Sequence, residues 1–563
     1  HFRIRRQRRE HRAAAAQRHL RGVEGRDDDG EPGHRDTLPR AIIRCLALRL
    51  TIALAVLGQM FVMLGVLGLL RVWALVFCCV FILGERVHAE MGRSGALRAS
   101  APPRETVLLI PFAVLAAYPP IAFDETLYHL PFVRAIANTG AINFLENLRF
   151  PIFPQLHEVL CVPVFLLLGD SATHFVAVAE VLLVAGVVIA WPEQRTTGIL
   201  AAALVLGNPI VIQMGTVTYV EAALMLFVAA GAYCLDRHPA AAGFLLGTAC
   251  SVKYLGWYFA AAGFVYLLLF GPNRRRVVPL FAATLMLAVL PMYGRIVALT
   301  GNPVFPLLPK VFGASAWTAE LPTATDRISS ALGLLWNVTF ARDRVGFQPP
   351  YSPLFAIAML ITFAVATRNR RAAFLSIVCI GYIALFTFLS QDSRYLLPLL
   401  PLVSVAAAMT IAPLLSKKTI LVLSMLAIAP GIAYAGYRLW RQGPPPLTES
   451  QRRRYLETHI PEFRALERRG AGRIYVCGAE QLHYFGGDDF IGDVIGRDAN
   501  ERIFGDAKNA ADLSRALRPL NIRYLLISRR HTPAAWQRLP SAPLFERMYA
   551  DDAAELWRVN EPF

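Results

Sequence analysis

Two adjacent acids, Asp124 and Glu125, stand where a long apolar stretch, Thr106–Phe123, comes to an end. A carboxylate at the edge of the hydrocarbon is costly, so an acid in that position is a functional candidate by default. Tyr128, His129 and Arg134 follow in the same segment. We interpret this segment as a candidate site. The alternatives are that the acids are only helix-end charges and that the other three are interface anchors.

The elements that must position these residues are membrane helices. The chain has 563 residues, 55% of them hydrophobic, and a mean hydropathy of +0.44. Its apolar residues fall in blocks of about 20, the length of a helix that crosses a bilayer, without the alternation of a barrel strand. The sequence predicts an α-helical polytopic membrane protein with about 13 transmembrane helices. It also predicts juxtamembrane helices on the outer surface and a small C-terminal extracytoplasmic α/β domain.

The net charge of +17 arises mostly from Arg in the N-terminal arm and in short loops. That distribution is typical of membrane topology and contact with anionic lipids, and it argues against a nucleic-acid partner. The eight cysteines lie almost all in apolar segments, where Cys acts as a small hydrophobe, so no disulfide framework is expected.

Loop charges orient the chain, because positive loops remain on the cytoplasmic side. The N-terminus is predicted inside and the C-terminal domain outside, in the inner membrane of a bacterium.

Pro444–Pro446 marks a linker, after which Arg473–Cys477, Ile522–Ile527 and Ala554–Val559 are typical of strands and Ala510–Leu517 of a helix. We favour a lid or docking module over an independent enzyme for this tail. The predicted divisions are a 1–40 arm, either cytoplasmic or translated from an incorrect upstream start; a 41–104 hairpin and cytoplasmic loop; a 105–442 core with outer loops 124–171 and 295–351; and a 443–563 domain.

Further polar residues fall on the same predicted outer side as Asp124. They are Glu221 at the start of an apolar helix, Lys253 at the end of another, and the pair Arg394–Tyr395. Carboxylates and cations gathered at one membrane face suit a reaction on an anionic, lipid-linked substrate. The plainer alternatives are that Lys253 extends to the surface and that Arg394 and Tyr395 merely begin a helix.

An ordered set of short motifs resembles the C-type polytopic glycosyltransferases, a group that includes protein O-mannosyltransferases and bacterial aminoarabinose transferases. The resemblance covers about residues 105–563. The motifs are Phe123-Asp-Glu-Thr-Leu-Tyr-His129, Pro151-Ile-Phe-Pro-Gln-Leu-His157 before a leucine-rich helix that ends Leu168-Gly-Asp-Ser171, Thr218-Tyr-Val-Glu221, Ser251-Val-Lys-Tyr254, Thr300-Gly-Asn-Pro-Val-Phe-Pro306 and Ser393-Arg-Tyr-Leu-Leu-Pro-Leu-Leu-Pro401.

The resemblance implies transfer of a sugar from a polyprenyl-phosphate donor to an acceptor on the outer face. Asp124, and after it Glu125, would take the proton of the acceptor hydroxyl, and the reaction would invert the anomeric centre. Glu221 matches the second outer acid, where Asp is more usual. Lys253 and Arg394 would neutralise the departing phosphate. The implied substrate-binding residues are Tyr128, His129, Arg134, His157, Lys253, Arg394 and Tyr395.

Two other classes of function and one cofactor question remain open at this point. A lipid-linked sugar flippase would place charges deep within the bundle, and a silent scaffold would tolerate Ala at its acids. No cofactor is certain, but Asp124, Glu125 and Glu221 could hold Mg²⁺ or Mn²⁺ if they converge. The sugar and the acceptor, whether lipid, polysaccharide or protein, are not readable from the sequence.

Overall fold

A computed structural model describes residues 37–70, 76, 110–315, 317, 333–346, 348–389, 391–492 and 499–560. The 1–40 arm and the predicted second span, near 65–84, lie largely outside these ranges. The contacts discussed below all belong to one compact unit, Arg44–Phe563.

The described chain is mainly helical before residue 443. Its α-helices there are Thr37–Val66, Ile110–Ala116, Leu130–Thr139, Leu156–Leu168, His174–Ala190, Arg195–Leu206, Pro209–Met214, Glu221–Cys234, Pro239–Val252, Gly256–Phe270, Arg274–Thr300, Pro309–Phe312, Leu334–Phe340, Pro353–Ala364, Arg370–Thr387, Leu400–Ile411 and Lys417–Gln442. A π-helix spans Glu125–His129, and 3₁₀ turns span Ser171–Thr173, Arg342–Arg344, Ser393–Leu399 and Ala412–Leu414.

Within the described ranges, six helical segments are long and apolar enough to cross a membrane, and a further six apolar helices have 10–17 residues. This composition, together with a small C-terminal sheet, confirms the predicted class of a helical polytopic membrane protein with an α/β tail. The count of about 13 spans stays a prediction.

The helix predicted over the apolar stretch Thr106–Phe123 ends earlier than the sequence suggested, at Ala116. The described helix is Ile110–Ala116, and the chain from Pro119 onward is not helical again until Phe123. Pro119 and Pro120 explain the early end, because proline lacks an amide hydrogen and disfavours helical geometry in the residue before it. Asp124 therefore follows a broken segment.

A proline also interrupts the apolar stretch 198–214, which its composition predicts as one of the membrane spans. This stretch forms Arg195–Leu206 and Pro209–Met214, with Asn208 in extended conformation between them. The Asn208 side chain stabilises the break: its amide donates to the Leu204 carbonyl at 2.6 Å and its oxygen accepts from the Ser352 amide at 2.8 Å.

The C-terminal domain contains a five-stranded mixed sheet. Its strands are β1 (Ile474–Cys477), β2 (Phe490–Gly492), β3 (Tyr524–Ser528), β4 (Phe545–Ala550) and β5 (Ala554–Val559), in the order β2-β1-β3-β5-β4. β1 pairs in parallel with β2 and β3, whereas β5 is antiparallel to β3 and β4. β1, β3, β5 and the helix Ala510–Leu517 agree with the sequence prediction, while β2 and β4 were not predicted.

Helices and turns cover the faces of this sheet. The α-helices are Glu449–His459, Phe463–Glu467, His483–Gly486, Ala510–Leu517 and Ala534–Gln537, with a π turn at Glu501–Gly505 and 3₁₀ turns at Glu480–Leu482, Gly487–Asp489 and Arg518–Leu520. Tyr475 and Leu525 pack with Leu513 on one face, and Val476 and Leu526 pack with Leu456 on the other.

Polar contacts join the C-terminal domain to the end of the bundle that carries Asp124. The Arg134 guanidinium donates to the Tyr484 carbonyl and lies over its ring, 5.1 Å from the centroid. Arg452 pairs with Asp170 at 2.6 Å. The tail is thus docked on the same end of the bundle as the candidate site.

A glycine pair tests the packing of the last long helix. A Cβ at Gly431 would lie 2.5 Å from the Leu206 carbonyl oxygen, whereas one at Gly436 would meet nothing within 4 Å. We expect Gly431→Ala to lower the thermal unfolding midpoint in detergent, because overpacking costs about 1–3 kcal/mol. Gly436→Ala, the matched control in the same helix, should leave the midpoint unchanged or raise it. Equal midpoints for the two variants would contradict this packing.

Candidate active site

The centre of the candidate site is the guanidinium of Arg394, which lies among three carboxylates. One terminal nitrogen bonds Oδ2 of Asp124, and Nε lies 3.0 Å from Oδ2 of Asp392 and 3.7 Å from Oε1 of Glu221. Both Arg394 and Glu221 are buried. A guanidinium offers five donors in a fixed fork, so it can hold several carboxylates at once.

The chain around Arg394 fixes where that side chain lies. Asp392 caps the 3₁₀ turn Ser393–Leu399 by accepting from the Arg394 amide at 3.1 Å. Tyr351 donates to the Ser393 carbonyl at 3.2 Å, and Tyr382 donates to the Tyr395 carbonyl at 2.7 Å. These bonds satisfy carbonyls in a turn that contains Pro398 and cannot continue as a regular helix.

Lys253 completes the charge arrangement on the far side of Glu221. Its Nζ lies 2.7 Å from Oε1 of Glu221 and 4.2 Å from the ring centroid of Tyr395, a cation–π geometry. Lys253 follows the helix Pro239–Val252, and Glu221 begins Glu221–Cys234, so two helix ends meet here. Oε2 of Glu221 is buried and has no hydrogen-bond partner among the described residues.

Asp124 is held in its charged form. Burial alone would raise the pKa of this carboxyl, but Arg394, His129 and the hydrogen bond from Tyr128 outweigh it and lower the pKa below its ordinary value. The Tyr128 hydroxyl donates to Oδ2 at 3.0 Å, and the Asp124 amide donates to the Tyr219 hydroxyl at 3.0 Å. Asp124 is therefore an ionised carboxylate, 17% exposed, at the edge of the cluster.

Glu125 belongs to a different set of contacts. Its Oε1 accepts from the Thr218 amide and contacts Nε2 of His174, both at 2.6 Å, and its Oε2 accepts from the Ala122 amide at 3.2 Å. Burial alone would raise the pKa of Glu125, but His174 and Thr218 lower it. Nδ1 of His174 faces the Ala116 carbonyl at 3.1 Å. Both ring nitrogens of His174 thus face oxygen acceptors, an arrangement that favours the doubly protonated ring.

Of the ten predicted site residues, six converge on the cluster: Asp124, Tyr128, Glu221, Lys253, Arg394 and Tyr395. His129 lies at its border, with its ring 5.6 Å from that of Tyr219 and Nδ1 2.6 Å from Glu158. The structure does not bring the other three into the cluster. Glu125 contacts His174, Arg134 contacts the C-terminal domain, and His157 is buried beside Glu180 at 3.0 Å.

The sequence left a divalent cation open, and the residues present do not fit one. In the described ranges, no group of three or more His, Cys, Asp or Glu side chains converges in a way that could hold a metal. Glu125 is turned to His174, and the Arg394 guanidinium lies between Asp124 and Glu221, in the position that a bridging ion would take. The positive charge that these two acids share is supplied by Arg394.

Sequence reasoning missed Asp392, Tyr219 and His174 as site residues. Asp392 stands two positions before Arg394 and Tyr219 two before Glu221, so closeness to a predicted residue was the available signal. His174 is a single histidine at the start of an apolar helix, which carries no pattern of its own.

Comparisons with known sequences match a part of the chain. A family model described as SF2091/S2213 matches residues 451–558. A Shigella flexneri protein named "Uncharacterized protein SF2093/S2215" is 34% identical over 111 residues, which are 19% of this chain and 55% of that protein. The chain thus spans about half the length of this curated relative, and neither match names an activity.

Comparisons with solved structures cover most of the chain. ArnT from Cupriavidus metallidurans in the apo state aligns with a TM-score of 0.53 and 12% identity, over 81% of this chain and 96% of that one. The same protein bound to undecaprenyl phosphate gives 0.48 at 12% identity, over 81% and 97%. Mycobacterial arabinofuranosyltransferase AftD gives 0.47 at 14% identity, over 83% and 40%. The likeness to apo ArnT shows the fold: this chain has the GT-C fold of polytopic membrane glycosyltransferases, as its sequence predicted.

The cluster makes a prediction about stability. Arg394→Gln would leave three buried or nearly buried carboxylates without their shared cation, and breaking a buried ion pair costs about 3–5 kcal/mol. We expect a large drop in the thermal unfolding midpoint in detergent. The control is Arg371→Gln, whose pair with Asp236 is 59% and 45% exposed; an exposed pair contributes at most about 1 kcal/mol. Similar midpoints for the two variants would show that Arg394 does not hold the cluster together.

Proposed function

We propose that this chain is a membrane glycosyltransferase that transfers a sugar from a polyprenyl-phosphate donor to an acceptor hydroxyl on the extracytoplasmic face. In this proposal Asp124 is the general base, and the reaction inverts the anomeric centre. The GT-C fold supports the class of protein, and the two cations of the cluster, Lys253 and Arg394, support a substrate that carries a phosphate.

The observation that carries the proposal is the state of the Asp124 carboxylate. Tyr128 and Arg394 both donate to Oδ2 of Asp124, and these are its two side-chain bonds to described residues. Oδ1 has no partner among the described residues, and the side chain is partly exposed. An ionised carboxylate with one oxygen fixed and the other open is suited to accept a proton.

The proposed step follows from the chemistry of a glycosyl phosphate. The acceptor oxygen attacks C1 of the sugar, and its proton passes to Oδ1 of Asp124. The bond between C1 and the phosphate oxygen breaks on the opposite side, and polyprenyl phosphate leaves with the electron pair. Phosphate is already a good anionic leaving group, so no acid is required to protonate it.

Lys253 and Arg394 are the cations available to the departing phosphate. Both contact carboxylates in the structure, Lys253 through Glu221 and Arg394 through Asp124. When Asp124 takes the proton it loses its negative charge, and the guanidinium is then freed to pair with the phosphate. Glu221, through its unpartnered Oε2, would accept a hydrogen bond from a substrate hydroxyl.

The donor class also has support from a protein of the same fold. ArnT from Cupriavidus metallidurans was crystallised with undecaprenyl phosphate, and the apo form of that protein shares this fold. We extend the ligand class, a polyprenyl phosphate, to this chain. The sugar and the acceptor are to be identified by experiment.

Transfer in membranes tests the assignment directly. Radiolabelled polyprenyl-phosphate sugars are supplied to membranes that contain the wild type or Asp124→Asn, and label released from the donor lipid onto acceptor is followed. We expect Asp124→Asn to lose about 10²–10⁴-fold in rate, because the base is removed while the shape is kept. The control is Asp236→Asn, whose carboxylate pairs with Arg371 away from the cluster.

The same assay separates the competing functions. Full activity in Asp124→Asn would refute the base assignment. Label that crosses the membrane while still attached to its lipid would indicate a flippase. A wild type that moves no label from any donor, with protein shown to be folded, would favour a scaffold.

The pH dependence of transfer follows from the lowered pKa of Asp124. Since its ordinary value is 3.8 and the cluster lowers it, Asp124 stays charged as the pH falls, and we expect no acid limb from it between about pH 8 and pH 5. Arg394→Lys keeps a positive charge but loses the guanidinium fork, so the pKa of Asp124 rises and the acid limb moves toward neutral pH. The control is Arg371→Lys, and rates are measured at saturating donor. A wild-type acid limb above pH 6, or identical profiles for Arg394→Lys and wild type, would contradict the assignment.

A further inference from the structure

A polar cavity lies beside Glu125. Its volume is about 340 Å³, and we name it the Arg438 cavity; its lining includes Tyr118, Glu125, His174, Tyr434, Arg438 and Tyr455. Asp124 and Arg394 are not part of the lining. The cavity is therefore separate from the charge cluster, although Asp124 belongs to the cluster and its neighbour Glu125 lines the cavity.

Arg438 is a buried cation that forms no salt bridge with a carboxylate of the described residues. Its side chain comes from the last turns of Lys417–Gln442, and the residue is 8% exposed. Its one hydrogen bond among the described residues runs from a terminal nitrogen to Oγ1 of Thr216, at 2.7 Å. The Thr216 hydroxyl donates to the Ile212 carbonyl, so this bond uses a neutral acceptor. A buried charge is normally paired, and the nearest candidate in the cavity lining, the Glu125 carboxylate, already pairs with His174.

Tyr455 gives a second and independent indication. It lies on the helix Glu449–His459 of the C-terminal domain and is 7% exposed. Its hydroxyl is buried and has no hydrogen-bond partner among the described residues. A buried hydroxyl without a partner carries a desolvation penalty, and a ligand that accepts from it would remove that penalty. Arg438 and Tyr455 thus approach the cavity from two different elements.

The other charges of the lining also favour an anion. Glu125 is the one carboxylate among the described lining residues, and both of its oxygens already accept hydrogen bonds. His174, its partner, has both ring nitrogens against oxygen acceptors, which favours its protonated form. Arg441, one turn beyond Arg438, adds a further positive charge to the lining. Positive charge therefore exceeds negative charge around the cavity.

We propose that the Arg438 cavity binds a phosphate ester, with the phosphate held by the Arg438 guanidinium and the Tyr455 hydroxyl. Guanidinium groups bind phosphate through paired donors, and phosphate oxygens can accept from several directions at once. The volume exceeds that of a phosphate alone, so the ligand carries a substituent, and the tyrosine rings of the lining suit an amphipathic one. Arg438 lies four residues before the end of a candidate membrane span, Lys417–Gln442, and basic side chains near the ends of spans commonly contact lipid headgroups. A lipid headgroup and a soluble phosphate ester share this chemistry.

Binding to the full-length protein in nanodiscs of zwitterionic lipid tests the proposal. The probes are inorganic phosphate added to the buffer and phosphatidic acid added to the discs, each followed by the rise in thermal unfolding midpoint at constant ionic strength. We expect the wild type to be stabilised, and Arg438→Gln and Tyr455→Phe each to bind about tenfold more weakly. Stabilisation by phosphatidic acid alone identifies a lipid headgroup, whereas stabilisation by both probes identifies a site open to soluble phosphate esters.

Two variants are used so that the test still gives an answer if Arg438→Gln folds poorly. Tyr455→Phe removes a hydroxyl without a partner, so it should fold at least as well as the wild type. The matched control is Arg295→Gln, which also removes a membrane-helix cation, one that bonds the Ile142 carbonyl and Asn143 outside this cavity. A wild type that neither probe stabilises, or a Tyr455→Phe variant that responds as strongly as Arg295→Gln, overturns the proposal. The measurement needs no sugar donor, so its result is independent of the proposed transfer reaction.

Discussion

The pairing of Arg394 with three carboxylates joins parts of the chain that are far apart in sequence. Asp124 follows the broken outer segment, Glu221 begins a central helix, and Asp392 precedes the turn that carries Arg394 itself. Each acid would be expensive to bury alone, and the guanidinium makes their burial together possible. Tyr128 bonds Asp124 and Lys253 pairs with Glu221, so both contact acids that Arg394 also contacts.

Interrupted helices give that cluster its place at the end of the bundle. Proline ends the helix before Asp124, and Pro398 lies in the 3₁₀ turn of Arg394. Helix ends expose backbone groups and release side chains from the regular apolar pattern of a span. Tyrosine hydroxyls, such as those of Tyr351 and Tyr382, then satisfy the exposed carbonyls. The same breaks that cost helical hydrogen bonds thus create room for polar chemistry at the membrane boundary.

The sequence predicted the helical bundle, the α/β tail and six residues of the cluster, because apolar block length and loop charge determine on which side each polar residue falls. The sequence did not predict which polar residues on the same side of the membrane contact one another. Asp124 and Glu125 are neighbours in sequence, yet successive residues of a helical turn point about 100° apart, so they enter different networks. β4 was missed because its side chains, such as Glu546 and Arg547, are mostly exposed and give no apolar pattern. His174 and Arg438 are single polar residues in apolar helices, so only their surroundings in the structure identify them as candidates: Glu125 beside His174, and the cavity that Arg438 lines.

Charge balance connects the structure of the cluster to the proposed reaction. Asp124, Glu221 and Asp392 together face Arg394 and Lys253, so three acids share two cations. A phosphate that binds there adds negative charge to a site that already has an excess of it. In the reaction we propose, proton transfer to Asp124 would remove one negative charge at the moment when the bond to the leaving phosphate breaks. The Arg394 guanidinium could then pair with the leaving phosphate instead of Asp124. In this proposal the cation that stabilises the fold before the reaction also stabilises the product.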